Sequence, residues 1–205
     1  MRRLLIGFVV LALGLAAVAG AAHWVAPLFA SGSGPSWVTQ TVYPLEHAGA
    51  IRAGAARYDL DPALVAAVVY AESKFDEYAL SSQGAVGLMQ ILPETAEQIA
   101  DESGGVTFTT EDLEDPRINV RYGSYYLRQA LDVYDGDARA AVASYNAGMG
   151  AVNEWVDTAS DEGRRLRLRD IPYPETRAYV EKVLEARRVY REEYGDRLGE
   201  APEER

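Results

Sequence analysis

A mainly α-helical fold is predicted by three features of the sequence. Apolar residues recur at the helical period through most of residues 45–194. Pro62, Pro93 and Pro116 stand where helices would open, at positions that tolerate a missing amide hydrogen. Strand-like alternation is confined to a few residues around positions 85–91.

The N-terminus comes first. Arg2 and Arg3 precede an apolar and small-residue run from Leu4 to Ala22, the pattern of an export signal, and Ala19-Gly20-Ala21 reads as a small-residue cleavage site. The run also approaches the ~20 apolar residues that span a bilayer as a helix. Trp24 would then lie at the interface and the two arginines would stay inside. Residues 1–30 are therefore expected to be a signal peptide or a membrane anchor, with the anchor favoured and the membrane a partner through this segment. Either way the body of the protein is extracytoplasmic. Residues 31–41 open with Ser31-Gly32-Ser33-Gly34-Pro35-Ser36 and are expected to form a flexible linker. Residues 42–194 are expected to form the globular domain, and residues 195–205 a charged tail that frays.

Within the domain, helices are expected over residues 45–58, 62–74, 93–102, 116–134, 138–145, 151–158 and 175–194. Asp61 and Asp115 are suited to cap two of them. Gly123 falls inside a helix, where it costs stability unless a neighbour packs closely against it.

Composition narrows the chemistry. Acidic residues outnumber basic ones by 31 to 20, a formal charge of -11. No basic cluster offsets this charge, so nucleic acid is not an expected partner. Cysteine is absent, and the two histidines, His23 and His47, lie outside every motif described below. Disulfides, thiol catalysis, histidine triads and zinc sites therefore have little material, and neither a metal nor an organic cofactor is expected.

In the helix expected over residues 62–74, Leu64, Val65, Val68 and Val69 form an apolar face. At about 100° per residue, Glu72 returns to that same face. Burial beside apolar side chains raises a carboxyl pKa. A carboxylic acid that keeps its proton near neutrality can protonate a glycosidic leaving oxygen. By itself a glutamate at a helix end is more commonly solvated or paired with a cation. Downstream, Gly84 and Gly87 permit sharp turns and close backbone approach, and Gln90 offers a donor and an acceptor suited to sugar groups. Ser144-Tyr145-Asn146-Ala147-Gly148 ends a short helix, and Glu175 opens the last one with Tyr179 a turn further on the same face.

Taken in order, these strings resemble the soluble lytic transglycosylase catalytic domain family. They are Glu72-Ser73 with Phe75, Gly84-Ala85-x-Gly87-Leu88-Met89-Gln90, Ser144 to Gly148, and Pro174-Glu175-Thr176-Arg177-x-Tyr179-Val180. The resemblance covers roughly residues 45–190. It implies a lysozyme-like helical domain with a substrate groove, acting as a monomer on the glycan strands of peptidoglycan. It further implies that Glu72 is the catalytic acid and base, and that the Tyr145 hydroxyl lies near the carboxyl of Glu72. Ser73, Gln90, Leu92, Asn146, Glu175 and Tyr179 are the implied substrate-binding residues, with Glu175 and Tyr179 at the far side of the groove. Leu92 departs from the family, where methionine is common. Asp76 and Glu77 are read as solvated. The implied reaction is non-hydrolytic cleavage of the MurNAc-GlcNAc bond with formation of 1,6-anhydro-MurNAc. Two alternatives remain at this level: a hydrolytic muramidase on the same fold, and a membrane-tethered wall-binding protein without activity.

Overall fold

In the computed structural model, which describes residues 36–102 and 109–199, eight α-helices carry the fold and no extended strand is present among the described residues. The chain divides into two units, Met1–Val42 and Tyr43–Arg205. Of the first, only helix α1 (Ser36–Val42) is described. The expected signal or anchor segment lies outside the described residues. Among the described residues no helix is long and apolar enough to cross a membrane.

The second unit contains α2 (Ala48–Arg57), α3 (Pro62–Ser73), α4 (Pro93–Glu102), α5 (Pro116–Val133), α6 (Ala138–Ala147), α7 (Met149–Asp161) and α8 (Pro174–Leu198). Two 3-10 turns, Thr110–Glu114 and Leu168–Asp170, lead into α5 and α8. Local chemistry explains most of the starts. Asp61 Oδ1 accepts from the Ala63 amide at 2.9 Å and Asp115 Oδ1 from the Arg117 amide at 2.8 Å, each just ahead of a helix-opening proline. Asp137 caps α6 in the same way, accepting from the Arg139 and Ala140 amides. Gly148, at φ +81°, ends α6 and begins α7. The strand-like stretch proves to be a loop pinned by two isolated bridges, Leu80 to Val86 and Val86 to Ile91.

At the centre stands α3. Every residue from Ala63 through Val69 is buried, so the helix is not amphipathic, as its apolar stripe had suggested, but enclosed on all sides. Its neighbours are α2, α5 and, most extensively, α8. Each fully buried Val or Leu here contributes about 1.5–3 kcal/mol of hydrophobic stabilisation. The α3–α8 pairing is also tied by polar contacts. Asp61 Oδ2 accepts from both Arg187 and Arg191 of α8. Further along α8, the hydroxyls of Tyr190 and Tyr194 donate to the carbonyls of Pro44 and Tyr43, each at 2.8 Å.

The structure corrects several boundaries. Residues 36–41, expected as linker, belong to helix α1. The first domain helix opens at Ala48 rather than Leu45, because His47 takes a left-handed conformation at φ 48° that no helix can include. Residues 195–198, expected to fray, complete α8. Leu198 is buried, Arg197 donates to the Leu45 carbonyl, and Arg52 donates to the Arg197 carbonyl. Helices α6 and α7 are also longer than expected, since α6 continues to Ala147 and α7 spans Met149–Asp161.

Gly123 is accommodated by close packing. A Cβ there would lie 2.4 Å from Met89 Sδ and 2.8 Å from Met89 Cβ. One turn earlier on α5, Asn119 is fully buried and holds the same loop. Its Oδ1 accepts from the Met89 amide at 2.7 Å, and its Nδ2 donates to Val86 O at 2.8 Å and Leu113 O at 2.9 Å. Replacing it by alanine takes the partner from the Met89 amide and the Leu113 carbonyl, and one of two donors from Val86 O, which keeps the Ile91 amide. Asn119→Ala is therefore expected to lower unfolding free energy by about 2–4 kcal/mol in urea melts. It is also expected to speed hydrogen exchange at the Met89 amide.

Candidate active site

Glu72 sits in the last turn of α3, half-buried at the point where the enclosed helix reaches the surface. The chain reverses immediately after it. Lys74 and Phe75 both adopt left-handed conformations, at φ 54° and 69°, an unfavourable choice for non-glycine residues. The Phe75 ring, buried and edge-on to Tyr190 at 6.1 Å, secures that reversal.

The carboxyl is met from α8. The Tyr179 hydroxyl donates to Glu72 Oε1 at 2.5 Å, a contact spanning 107 positions of sequence. Burial pushes the Glu72 pKa up, while the Tyr179 hydrogen bond and the positive charge of Lys182 pull it back part of the way. Tyr179 and Tyr145 are both held well above the ordinary tyrosine range, chiefly by burial and then by the negative charge of Glu72. Both phenols therefore remain protonated donors.

The second wall is the loop over residues 79–92. Gly87, at φ +77°, packs so tightly that a Cβ would lie 2.4 Å from Asn119 Nδ2 and 2.6 Å from Leu113 O. The loop is joined to α3 by Ser73 Oγ donating to Leu88 O at 2.9 Å, and to α6 by the Tyr145 hydroxyl donating to Met89 O at 2.9 Å. Tyr145 is braced from α5 by the edge of Tyr126, with ring centroids 5.4 Å apart. The end of α6 is joined to the start of α8 by Thr176 Oγ1, which donates to Asn146 Oδ1 at 2.8 Å.

The predicted residues thus have unequal relations to the carboxyl. Tyr179, expected at the far side of the groove, is its hydrogen-bond partner, and Tyr145, expected near the carboxyl, feels its charge while its hydroxyl is bonded to the loop backbone. Ser73 is spent on the loop as well. The Gln90 amide nitrogen donates inward to Ala79 O and Gly87 O, each at 3.0 Å, which leaves its side-chain oxygen as the group able to meet a ligand. Leu92, Asn146 and Glu175 are exposed. Asp76 is exposed and accepts from the Tyr78 amide, whereas Glu77 is not simply solvated: it faces His47, with Oε2 3.6 Å from Nε2. Lys182 carried no signal in sequence. Its spacing of three from Tyr179 on one helix face was the available clue. Among the described residues no group of His, Cys, Asp or Glu side chains is arranged to hold a metal ion.

This chain belongs to the transglycosylase SLT domain family, whose model matches residues 49–167. The match ends before α8, so Glu175, Tyr179 and Lys182 lie beyond it. A curated relative, the transglycosylase of Enterobacteria phage PRD1, is 38% identical over 117 residues, covering 57% of this chain and 40% of that protein. The 70-kDa soluble lytic transglycosylase of Escherichia coli superposes with a TM-score of 0.72 at 27% identity, over 80% of this chain and 27% of its own. An inactive glutamate-to-glutamine mutant of the lytic transglycosylase Slt from Pseudomonas aeruginosa superposes with a TM-score of 0.69 at 32% identity, over 75% of this chain and 25% of its own. A complex of the 70-kDa enzyme with bulgecin A gives 0.71 at 29% identity, over 78% and 26%. The chain therefore spans less than half the length of these relatives. The lysozyme-like helical fold expected from the motifs is the one it shares with them.

A raised carboxyl pKa has a thermodynamic signature. Below the ordinary glutamate range, near ~4.3, Glu72 is protonated in folded and unfolded chain alike and costs nothing. As pH rises through the raised folded value, the unfolded chain ionises more readily and stability is lost. Thermal melts of Glu72→Gln and the parent are expected to coincide at acid pH. They should separate towards neutrality, with the glutamine variant melting higher.

Proposed function

We propose that this protein is a peptidoglycan lytic transglycosylase that cleaves the MurNAc-GlcNAc β-1,4 bond without water. The observation that carries this reading is the half-buried Glu72 carboxyl, raised in pKa, hydrogen-bonded by Tyr179, and with no carboxylate bonded to it among the described residues. The family supports the substrate class, and the inactive glutamate-to-glutamine mutant of the Pseudomonas aeruginosa neighbour agrees with a glutamate as the working group. The site of action is outside the cytoplasm, where glycan strands lie.

The chemistry follows from the balance of forces on Glu72. Burial favours the protonated carboxyl, the form that passes its proton to the bridging oxygen as the glycosidic bond breaks. The positive charge arising at the anomeric carbon is met by the N-acetyl oxygen of the same sugar. The Tyr179 hydroxyl stabilises the carboxylate left behind. That carboxylate then takes the proton of the sugar's C6 hydroxyl as O6 bonds to the anomeric carbon, closing the 1,6-anhydro ring and restoring the acid. An oxygen already tethered beside the reacting carbon outcompetes free water on proximity. A hydrolase would instead hold water with a second carboxylate about 6.5–9.5 Å away, or use one ~5–5.5 Å away as nucleophile. Gln90, Leu92, Asn146 and Glu175 are assigned to the saccharide groove.

Digestion of purified sacculi in ¹⁸O-labelled water, read by mass spectrometry, is expected to give unlabelled anhydro ends; labelled reducing ends would identify a muramidase. Glu72→Gln should lower turnover at least ~10²-fold while the fold is retained. Between the two phenols, Tyr179→Phe is expected to reduce kcat by about 10²-fold, as for loss of one catalytic hydrogen bond. Tyr145→Phe removes a bond to the loop backbone and should cost less. Equal losses in the two variants would contradict the division of roles.

A further inference from the structure

The helix that supplies the carboxyl's hydrogen bond also carries a cation that reaches the turn of α3 holding Glu72. Lys182 follows Tyr179 by three positions, so the two side chains share a face of α8. Its Nζ donates to the Ala71 carbonyl at 2.8 Å, the residue immediately before Glu72. That carbonyl belongs to the last turn of α3, where carbonyls have no partner within the helix. Its neighbour, the Tyr70 carbonyl, is closed by the Lys74 amide at 3.2 Å. The ammonium also lies 5.5 Å from the centroid of the Tyr70 ring, a cation–π contact that limits where it can swing.

We propose that Lys182 is a positioning residue for Glu72. It ties the C-terminal turn of α3 to α8 and stabilises the carboxylate formed after proton transfer. The proposal rests on Glu72 as the proton-transfer group but concerns a residue outside the segment matched by the family model. The charged and titratable groups around the carboxyl are Tyr179 and Lys182 from α8, Tyr145 from α6 and Lys74 just past α3. Of these, Lys182 is the cation whose charge pulls the Glu72 pKa down, against the effect of burial. Partial burial first, and then the charge of Lys74, lower the Lys182 ammonium's pKa, while Glu72 raises it. An acid that must later serve as base cannot be raised too far, or its proton is released too reluctantly. Lys182 limits that rise.

The test uses the full chain and two readouts. The Glu72 carboxyl is followed by ¹³C NMR titration, and kcat/KM on peptidoglycan is measured against pH. Lys182→Met keeps the apolar stem and removes the charge. It is expected to move the Glu72 titration and the alkaline limb of the profile upward by a few tenths of a pH unit, the scale of one solvent-screened charge acting on another. Lys182→Arg should restore both. In the unaltered protein, raising ionic strength should move the titration the same way, because salt screens a cation that is only partly withdrawn from solvent; this arm needs no variant to fold. A Glu72 titration unmoved by Lys182→Met and by salt would overturn the proposal, as would an equal shift with arginine. If the titration moves but sacculi are not cut, Lys182 keeps its role and the transglycosylase reading falls.

Discussion

Taking a carboxyl out of water is costly unless something within bonding distance replaces the solvent, and the α3–α8 pairing is where this fold meets that cost. Helix α3 is enclosed over Ala63–Val69, and its axis carries Glu72 to the edge of the core without returning it to bulk water. Among the described residues, α8 is the element that reaches the group with a side-chain donor, through Tyr179. The register between the two helices therefore decides whether the carboxyl is partnered. One turn of slippage is ~5.4 Å, far more than a 2.5 Å hydrogen bond can follow. Asp61 with Arg187 and Arg191, at the far end of the pairing, holds that register, while the Tyr190 and Tyr194 hydroxyls tie α8 to the chain at residues 43–44.

The opposite wall is built on another principle. The loop over residues 79–92 has almost no regular pairing, so side chains from three helices satisfy its backbone: Ser73 from α3, Asn119 from α5 and Tyr145 from α6. Absence of side chains matters equally. Gly87 and Gly123 lie where a Cβ would collide with Asn119, Leu113 or Met89. A loop fixed in this way presents a shaped surface without needing to close on its ligand.

Much of this was legible in the sequence. Prolines after Asp61 and Asp115 marked two helix starts, and the 3.6-residue period carried Glu72 back to the apolar side. The direction of burial was not legible. Alanine and valine around α3 fit a one-sided stripe as well as full enclosure, and only the placement of α8 distinguishes them. That Tyr179 rather than Tyr145 bonds the carboxyl has a related cause. Both are phenols near a carboxyl, and which hydroxyl reaches it depends on a helix 107 positions away. The end of α8 was hidden by its charged surface. Leu198 and Tyr194 anchor it, but among glutamates and arginines they give no helical stripe strong enough to show.

The order of synthesis gives the 107-residue span of the Glu72–Tyr179 contact a temporal meaning. A chain emerging from its N-terminus completes α3 long before α8 exists, and domains fold as their final elements arrive. Until residues 174–198 have been made and docked, Glu72 ends a helix whose largest partner is missing and stands in water as an ordinary glutamate. A chain that stops short of α8 carries Glu72 and the earlier motifs yet lacks the hydroxyl that meets the carboxyl.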